Sequence, residues 1–345
     1  MGVVAHHVFV LLHERGIDRT LDWVGGAAGV DIFFPISGFV MVLSTHASWG
    51  KPERNRDFIL KRLVRIAPLY WVLTTLKIAL LMAFPIHALR GELEPWHTAA
   101  SYLFLPAANG STGQVTPVLP MGWTLNLEMF FYALFAVALV STRRPLHWIV
   151  PSLVGLGTLG ILAPELWYPV RYYIDPILIE FAFGMMIGRL VLSGFKIPPA
   201  AAGALALLSV VAIGSAEYLP GFAPHWRIYV WGVPGALLLL AMISLEGRFD
   251  RLPFHRFGLL LGDASYAIYL SHGFVLTAVG VLCQRAGFTG LPATFGVLAA
   301  CLVLTVVVGV FIHRWVEAPM SRWLNAHLFP HRKFPQAMSA VPVKP

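Results

Sequence analysis

Runs of apolar residues recur along this chain near 1–13, 29–45, 66–84, 125–141, 146–163, 172–190, 199–217, 228–245, 258–281 and 292–313. They leave little sequence for anything soluble. A hydrocarbon core about 30 Å thick asks for about 20 apolar residues per helix. Most of the runs approach that length, and only 12% of the 345 residues are charged, where a soluble domain carries about 25%. The reading is an all-α, polytopic integral membrane helix bundle of about ten transmembrane helices. Residues 1–327 form one membrane domain, and the Pro-rich, polar segment 328–345 is expected to be a disordered cytoplasmic tail.

The formal net charge of +8 points to topology rather than to nucleic acid. If the N-terminus is cytoplasmic, the inner segments and the tail hold eighteen of the 25 lysines and arginines. The outer loops hold Arg15, Arg19, Arg90, Arg171, Arg227 and Arg285, and Lys77 falls within a run. That bias places both termini in the cytoplasm. Cys283 and Cys301 are the only cysteines, and two thiols build neither a disulfide framework nor a zinc site.

The first run is short. Thirteen residues give about 20 Å of helix, so it reads as the outer part of a helix that begins before Met1, its start cut short by truncation or a misplaced start codon. It carries His6 and His7. An ionisable group inside a bilayer is costly and is a functional candidate by default. A neutral imidazole facing a polar cavity is a suitable general base for a hydroxyl, and a helix-packing histidine is the plainer alternative. Glu128, one turn into its run, either orients such a histidine or pairs with a buried arginine. Asp31 stands at the start of its run, where it also suits a helix N-cap. Tyr266, Tyr269 and His272 repeat every three residues and share a face.

Phe58–Trp71 joins the most basic loop to the third run. In a helix, Lys61, Arg62 and Arg65 lie on one flank, and Pro68 comes where the apolar run begins. A fork of guanidinium groups suits a phosphate-bearing ligand. The same residues also suit a topology anchor with snorkelling arginines. There is no glycine-rich nucleotide loop, HExxH, GxSxG or cysteine cluster, and no five-helix repeat of the transporter kind.

Five separated stretches resemble, in order, the acyltransferase family 3 of integral membrane O-acyltransferases, and most of all bacterial exopolysaccharide acetyltransferases. They are Gly29–Phe39 (GVDIFFPISGF), Phe58–Trp71 (FILKRLVRIAPLYW), Gly122–Tyr132 (GWTLNLEMFFY), Ser265–His272 (SYAIYLSH) and Val316–Pro319 (VEAP). The family carries a basic residue, ten residues and then a histidine in its first helix. His7 matches the histidine, and the basic partner would stand five residues before Met1. The resemblance implies transfer of an acyl group, acetyl first, from cytoplasmic acyl-CoA to a hydroxyl of an exported or lipid-linked carbohydrate at the bacterial cytoplasmic membrane. It implies no metal and no nucleic-acid partner; membrane lipid surrounds the chain. His7, Glu128 and Asp31 become the catalytic candidates, and Arg62, Arg65, Ser37, Trp123 and Tyr266 the donor-binding ones, with Glu317 in support. The rival from another class is a glycan or lipid transporter or flippase, in which the basic stretch is only an anchor.

Overall fold

The computed structural model describes residues 1–18, 21, 23–51, 55–83, 93–110, 113–163, 170–218, 226–249 and 253–329. The expected tail beyond Phe329 lies outside them. Among the described residues the chain is helical, with a single isolated bridge between Ala108 and Val115 and no strand.

Each of the ten apolar runs is helical. The helices are α1 (Gly2–Glu14), α2 (Gly29–Thr45), α3 (Asn55–Ala83), α4 (Pro95–Tyr102), α5 (Trp123–Ser141), α6 (Leu146–Leu162), α7 (Val170–Tyr173) and α8 (Leu178–Leu192). Next come α9 (Pro199–Ser215), α10 (Val233–Ser244), α11 (Glu246–Phe249), α12 (His255–Asp263), α13 (Ser265–Arg285), α14 (Gly290–Ile312) and α15 (Ala318–Leu328). Among the described residues, six helical segments are long and apolar enough to cross a membrane by length and composition, and α6 and α9 are shorter apolar helices. The remaining two runs are the 13-residue α1 and the 15-residue α8.

Three boundaries differ from the sequence reading. The third run extends back through the basic stretch to Asn55, as one helix that carries Pro68 inside it. The ninth breaks at Ala264 into α12 and α13, where Gly262-Asp263-Ala264-Ser265 supplies small and turn-forming residues. The sixth opens with α7 and restarts after Asp175-Pro176, a pair that favours a turn.

The centre of the bundle is aromatic. Phe131 stacks on Phe181 at 4.1 Å, and Phe34 meets Phe181 at 4.7 Å. α2 and α8 pack backbone to backbone there. A Cβ on Gly184 would sit 1.8 Å from the Pro35 carbonyl oxygen, so only glycine allows the approach.

α1 packs separately against α13 and α14, through Val4, Val8, Leu11 and Leu12 facing Ile268, Val275, Leu276, Val279 and Val297. The chain leaving α1 is tied down by Gly290 N–H donating to the Ile17 carbonyl and by Thr294 donating to Asp18. It then folds back so that Gly26 touches the Gly2 carbonyl, and α2 therefore starts level with the start of α1.

Candidate active site

α3 brings the two arginines to one end of the bundle. Arg65 Nη1 bonds Glu317 Oε1 at 2.6 Å, which joins the basic segment to the VEAP stretch. Glu317 is buried, and its other oxygen meets His313 Nδ1 at 2.9 Å. His313–Glu317 is a π-helical turn, a local irregularity that often marks functional sites. The Arg65 guanidinium lies 5.7 Å over the Tyr266 ring, and the Tyr266 hydroxyl donates to the Ile66 carbonyl at 2.7 Å. Arg62 Nη2 donates to Ser44 Oγ at 2.8 Å, and its guanidinium lies near the rings of Phe58 and Tyr132. Each guanidinium has five donors, so both keep several for a ligand.

Both arginines open into a cavity of about 520 Å³. Its wall includes Met1–Val4 from α1, Ser37 from α2, Glu128 and Tyr132 from α5, and Tyr266 and Tyr269 from α13. Ser37 Oγ donates to Glu128 Oε1, while Oε2 is buried without a hydrogen-bond partner. A buried carboxylate oxygen left in that state is a place for a ligand group or a water.

His7 and His272 form the next layer. His272 Nδ1 lies 2.5 Å from the Tyr269 carbonyl oxygen, and His272 Nε2 lies 3.0 Å from His7 Nδ1. A carbonyl only accepts, so His272 Nδ1 carries the hydrogen. With both rings neutral, His272 Nε2 then accepts from His7 Nδ1–H, and His7 Nε2 keeps its lone pair. The order of donors and acceptors thus makes Nε2 the basic nitrogen of His7.

Along α1 and α13 the pair falls between residues that line two different cavities, and neither ring is among the lining residues of either one. Val4, three residues before His7, and Tyr269, three before His272, line the arginine cavity. Leu11, four residues after His7, and Gly273, next to His272, line a second cavity of about 820 Å³ at the opposite end. Its other walls include Glu14, Arg15, Lys77, Thr277 and Gln284, with Arg15 bonded to Gln284 at 2.9 Å.

Two sequence candidates lie elsewhere. Asp31 is fully buried and held by Arg227 through two bonds, 2.6 and 2.8 Å, and no hydrogen bond joins it to His7. Successive helical residues point about 100° apart. Val30 takes the direction of the arginine cavity, and Asp31 the next one round. Trp123 likewise turns away from its neighbour Thr124 and lines a third cavity, of about 580 Å³, with Arg171, Asp175, Glu180 and Arg227. Glu128 lies in the arginine cavity but bonds Ser37, not His7. The residue that does hold His7 is His272. Its signal in the sequence was a histidine inside an apolar run, on the face of Tyr266 and Tyr269.

Comparison with known proteins decides the family. An acyltransferase domain family (Acyl_transf_3) matches residues 1–314. The chain belongs to this acyltransferase family. As an integral membrane acyltransferase, it is 36% identical over 317 residues to the exopolysaccharide production protein ExoZ of Rhizobium meliloti (strain 1021). That alignment covers 86% of this chain and 90% of ExoZ. It is 29% identical over 309 residues to BcsY of Komagataeibacter xylinus, named as a putative membrane-bound transacylase, covering 84% of this chain and 76% of that one. No solved structure matches this acyltransferase.

Proposed function

We propose that this acyltransferase moves an acyl group, acetyl first, from acyl-CoA to a hydroxyl of an exported or lipid-linked carbohydrate. The observation that carries the reading is the His7–His272–Tyr269 chain, which leaves His7 Nε2 basic between the residues that line a dibasic cavity and those that line a cavity at the opposite end. The likeness to ExoZ, a protein of exopolysaccharide production, supports a glycan acceptor. The inside-outside bias of lysine and arginine supports a cytoplasmic dibasic end in the bacterial inner membrane, with both termini on that side.

Arg62 and Arg65 hold the phosphates of coenzyme A, because planar guanidinium forks bind phosphate oxygens in pairs. Tyr266 fixes Arg65 from below its ring, and Ser37 with Glu128 completes the wall beside them. The acceptor hydroxyl oxygen attacks the thioester carbonyl carbon as its proton passes to His7 Nε2. The carbon–sulfur bond breaks, and the thiolate leaves as the thiol by taking that proton back. His272 holds the imidazolium formed between these steps through the same hydrogen bond.

Mass spectrometry of surface glycans from cells with and without the gene tests the reading. The expected outcome is loss of O-acyl groups on deletion, restored by the wild-type gene and not by His7→Ala. Unchanged acyl content would refute it. Glycan movement that is independent of acyl-CoA and insensitive to Arg62→Ala would place the protein among transporters instead.

A further inference from the structure

We propose that the cavity walled by Trp123, Arg171, Asp175, Glu180 and Arg227 is a carbohydrate subsite that holds a neutral sugar residue of the acceptor, the acceptor itself being taken from the acyl-transfer reading above. The cavity, about 580 Å³, is distinct from the arginine cavity, and the start of α5 separates them, with Trp123 on one side and Thr124 on the other. Glu180 is completely buried against the Asp31 carboxyl, and neither of its carboxylate oxygens accepts a hydrogen bond from a donor group of the described residues. Buried acceptors are almost always satisfied in a working protein, so this one calls for donors from a ligand. The fold keeps the carboxylate in place: a Cβ on Gly232 would come within 2.6 Å of Glu180 Oε1. Gly232 closes the π-helical turn Ile228–Gly232, which comes directly after Arg227.

Charge decides the ligand class. Asp31 occupies Arg227 through two bonds, and Asp175 Oδ1 accepts from the Ile177 N–H. Still open are Glu180 as acceptor and Arg171 Nη1, which is buried without a partner, as donor. A phosphate or carboxylate would meet Glu180 and Asp175, and a simple cation would leave Arg171 unanswered. A polyol answers both, since each hydroxyl donates and accepts. Trp123 adds the flat apolar surface on which the C–H face of a pyranose packs.

The test uses the full chain in nanodiscs of phosphatidylethanolamine and phosphatidylglycerol, with Cys283→Ala and Cys301→Ala as background and Ile161→Cys as a reporter in the cavity wall. The probe is the producing bacterium's own exported polysaccharide, freed of esters with mild alkali and cut to short oligosaccharides. These fragments should slow labelling of the reporter by N-ethylmaleimide. Glu180→Gln or Arg171→Gln should raise the concentration needed by roughly tenfold or more, the scale of a hydrogen bond to a charged group. Coenzyme A binding, measured on the same preparations, should be unchanged and shows that the variants are folded. Unslowed labelling overturns the subsite, whether or not acyl-CoA and enzyme esterify the fragments. Protection that survives both substitutions overturns the roles given to Glu180 and Arg171. Protection without esterification leaves the subsite standing and removes the acyl-transfer reading alone.

Discussion

Replacing His272 is the sharpest probe of the proposed chemistry. The fully buried ring gives Nε2 to His7 Nδ1 at 3.0 Å and fixes its own tautomer on the Tyr269 carbonyl at 2.5 Å. His272→Ala removes that acceptor from the half-buried His7 N–H, so the bond between the rings that favours the tautomer with the lone pair on Nε2 is lost. A buried hydrogen bond lost from one side costs about 1–3 kcal/mol. At about 1.4 kcal/mol per tenfold, that predicts a fall in kcat of roughly ten- to a hundredfold. The KM for acyl-CoA should hold, because His272 does not line the arginine cavity. His272→Gln is the informative partner, since its amide oxygen reaches about where Nε2 stood and can accept the same bond. The assay is release of coenzyme A thiol at saturating glycan acceptor, with kcat and KM for the donor separated and coenzyme A binding as a folding control. Gln should recover most of the rate lost in Ala. Equal losses in Gln and Ala, or a loss confined to KM, would refute the tautomer argument.

Three other outcomes are expected. Arg62→Gln should raise the KM for acyl-CoA by roughly ten- to a hundredfold, the scale of charge-assisted bonds to phosphate, with little change in kcat; steady-state kinetics over a donor series checks it. Asp31→Asn should destabilise the fold by about 3–5 kcal/mol, because Arg227 keeps its charge beside a partner that has lost its own; a thermal midpoint equal to wild type in the same detergent would show that the pair is not a fastening. Gly184→Ala should separate α2 from α8, since the new Cβ falls 1.8 Å from the backbone oxygen of Pro35. An overpacked contact costs about 1–3 kcal/mol, read as lower monodispersity and a lower midpoint.

The helices were legible because hydrophobic length is a local property. Their interruptions were less so. The break at Ala264 and the restart after Asp175-Pro176 depend on a few small or turn-forming residues inside long apolar runs. The arginine cavity was largely readable: Arg62, Arg65, Ser37, Glu128 and Tyr266 all line it. The residue types of Arg62 and Arg65 suggested an anion site, whereas Ser37, Glu128 and Tyr266 were assigned to the site only through the family resemblance. Asp31 and Trp123 resisted for one physical reason. Each neighbours a residue that lines the arginine cavity, and one helical step turned them toward a different space. Nor could local pattern reveal that Asp31 meets Arg227, 196 residues later. The middle runs, 146–245, hold none of the five stretches that carry the family resemblance, yet Glu180 and the arginine that holds Asp31 both come from that region of the chain.

The two π-helical turns give this arrangement a common logic. Such turns are rare, well under 1% of residues, and each here adjoins an arginine–carboxylate pair that joins distant segments. Ile228–Gly232 comes after Arg227, which bonds Asp31 across 196 residues. His313–Glu317 ends in the acid that Arg65 reaches across 252. An extra residue in a turn shifts the angular register of the helix beyond it, so a side chain can be aimed where regular winding would not point it. In a bundle with few charges, aiming them is the harder task than burying apolar surface. Both turns sit where a misdirected charge would be left in the apolar interior. Each pair also borders a cavity: Arg65 faces the dibasic one, and Arg227 the one beside Glu180. The fastenings of the bundle and the walls of its cavities are therefore the same residues, which is why Asp31→Asn is expected to unsettle the fold before it says anything about chemistry.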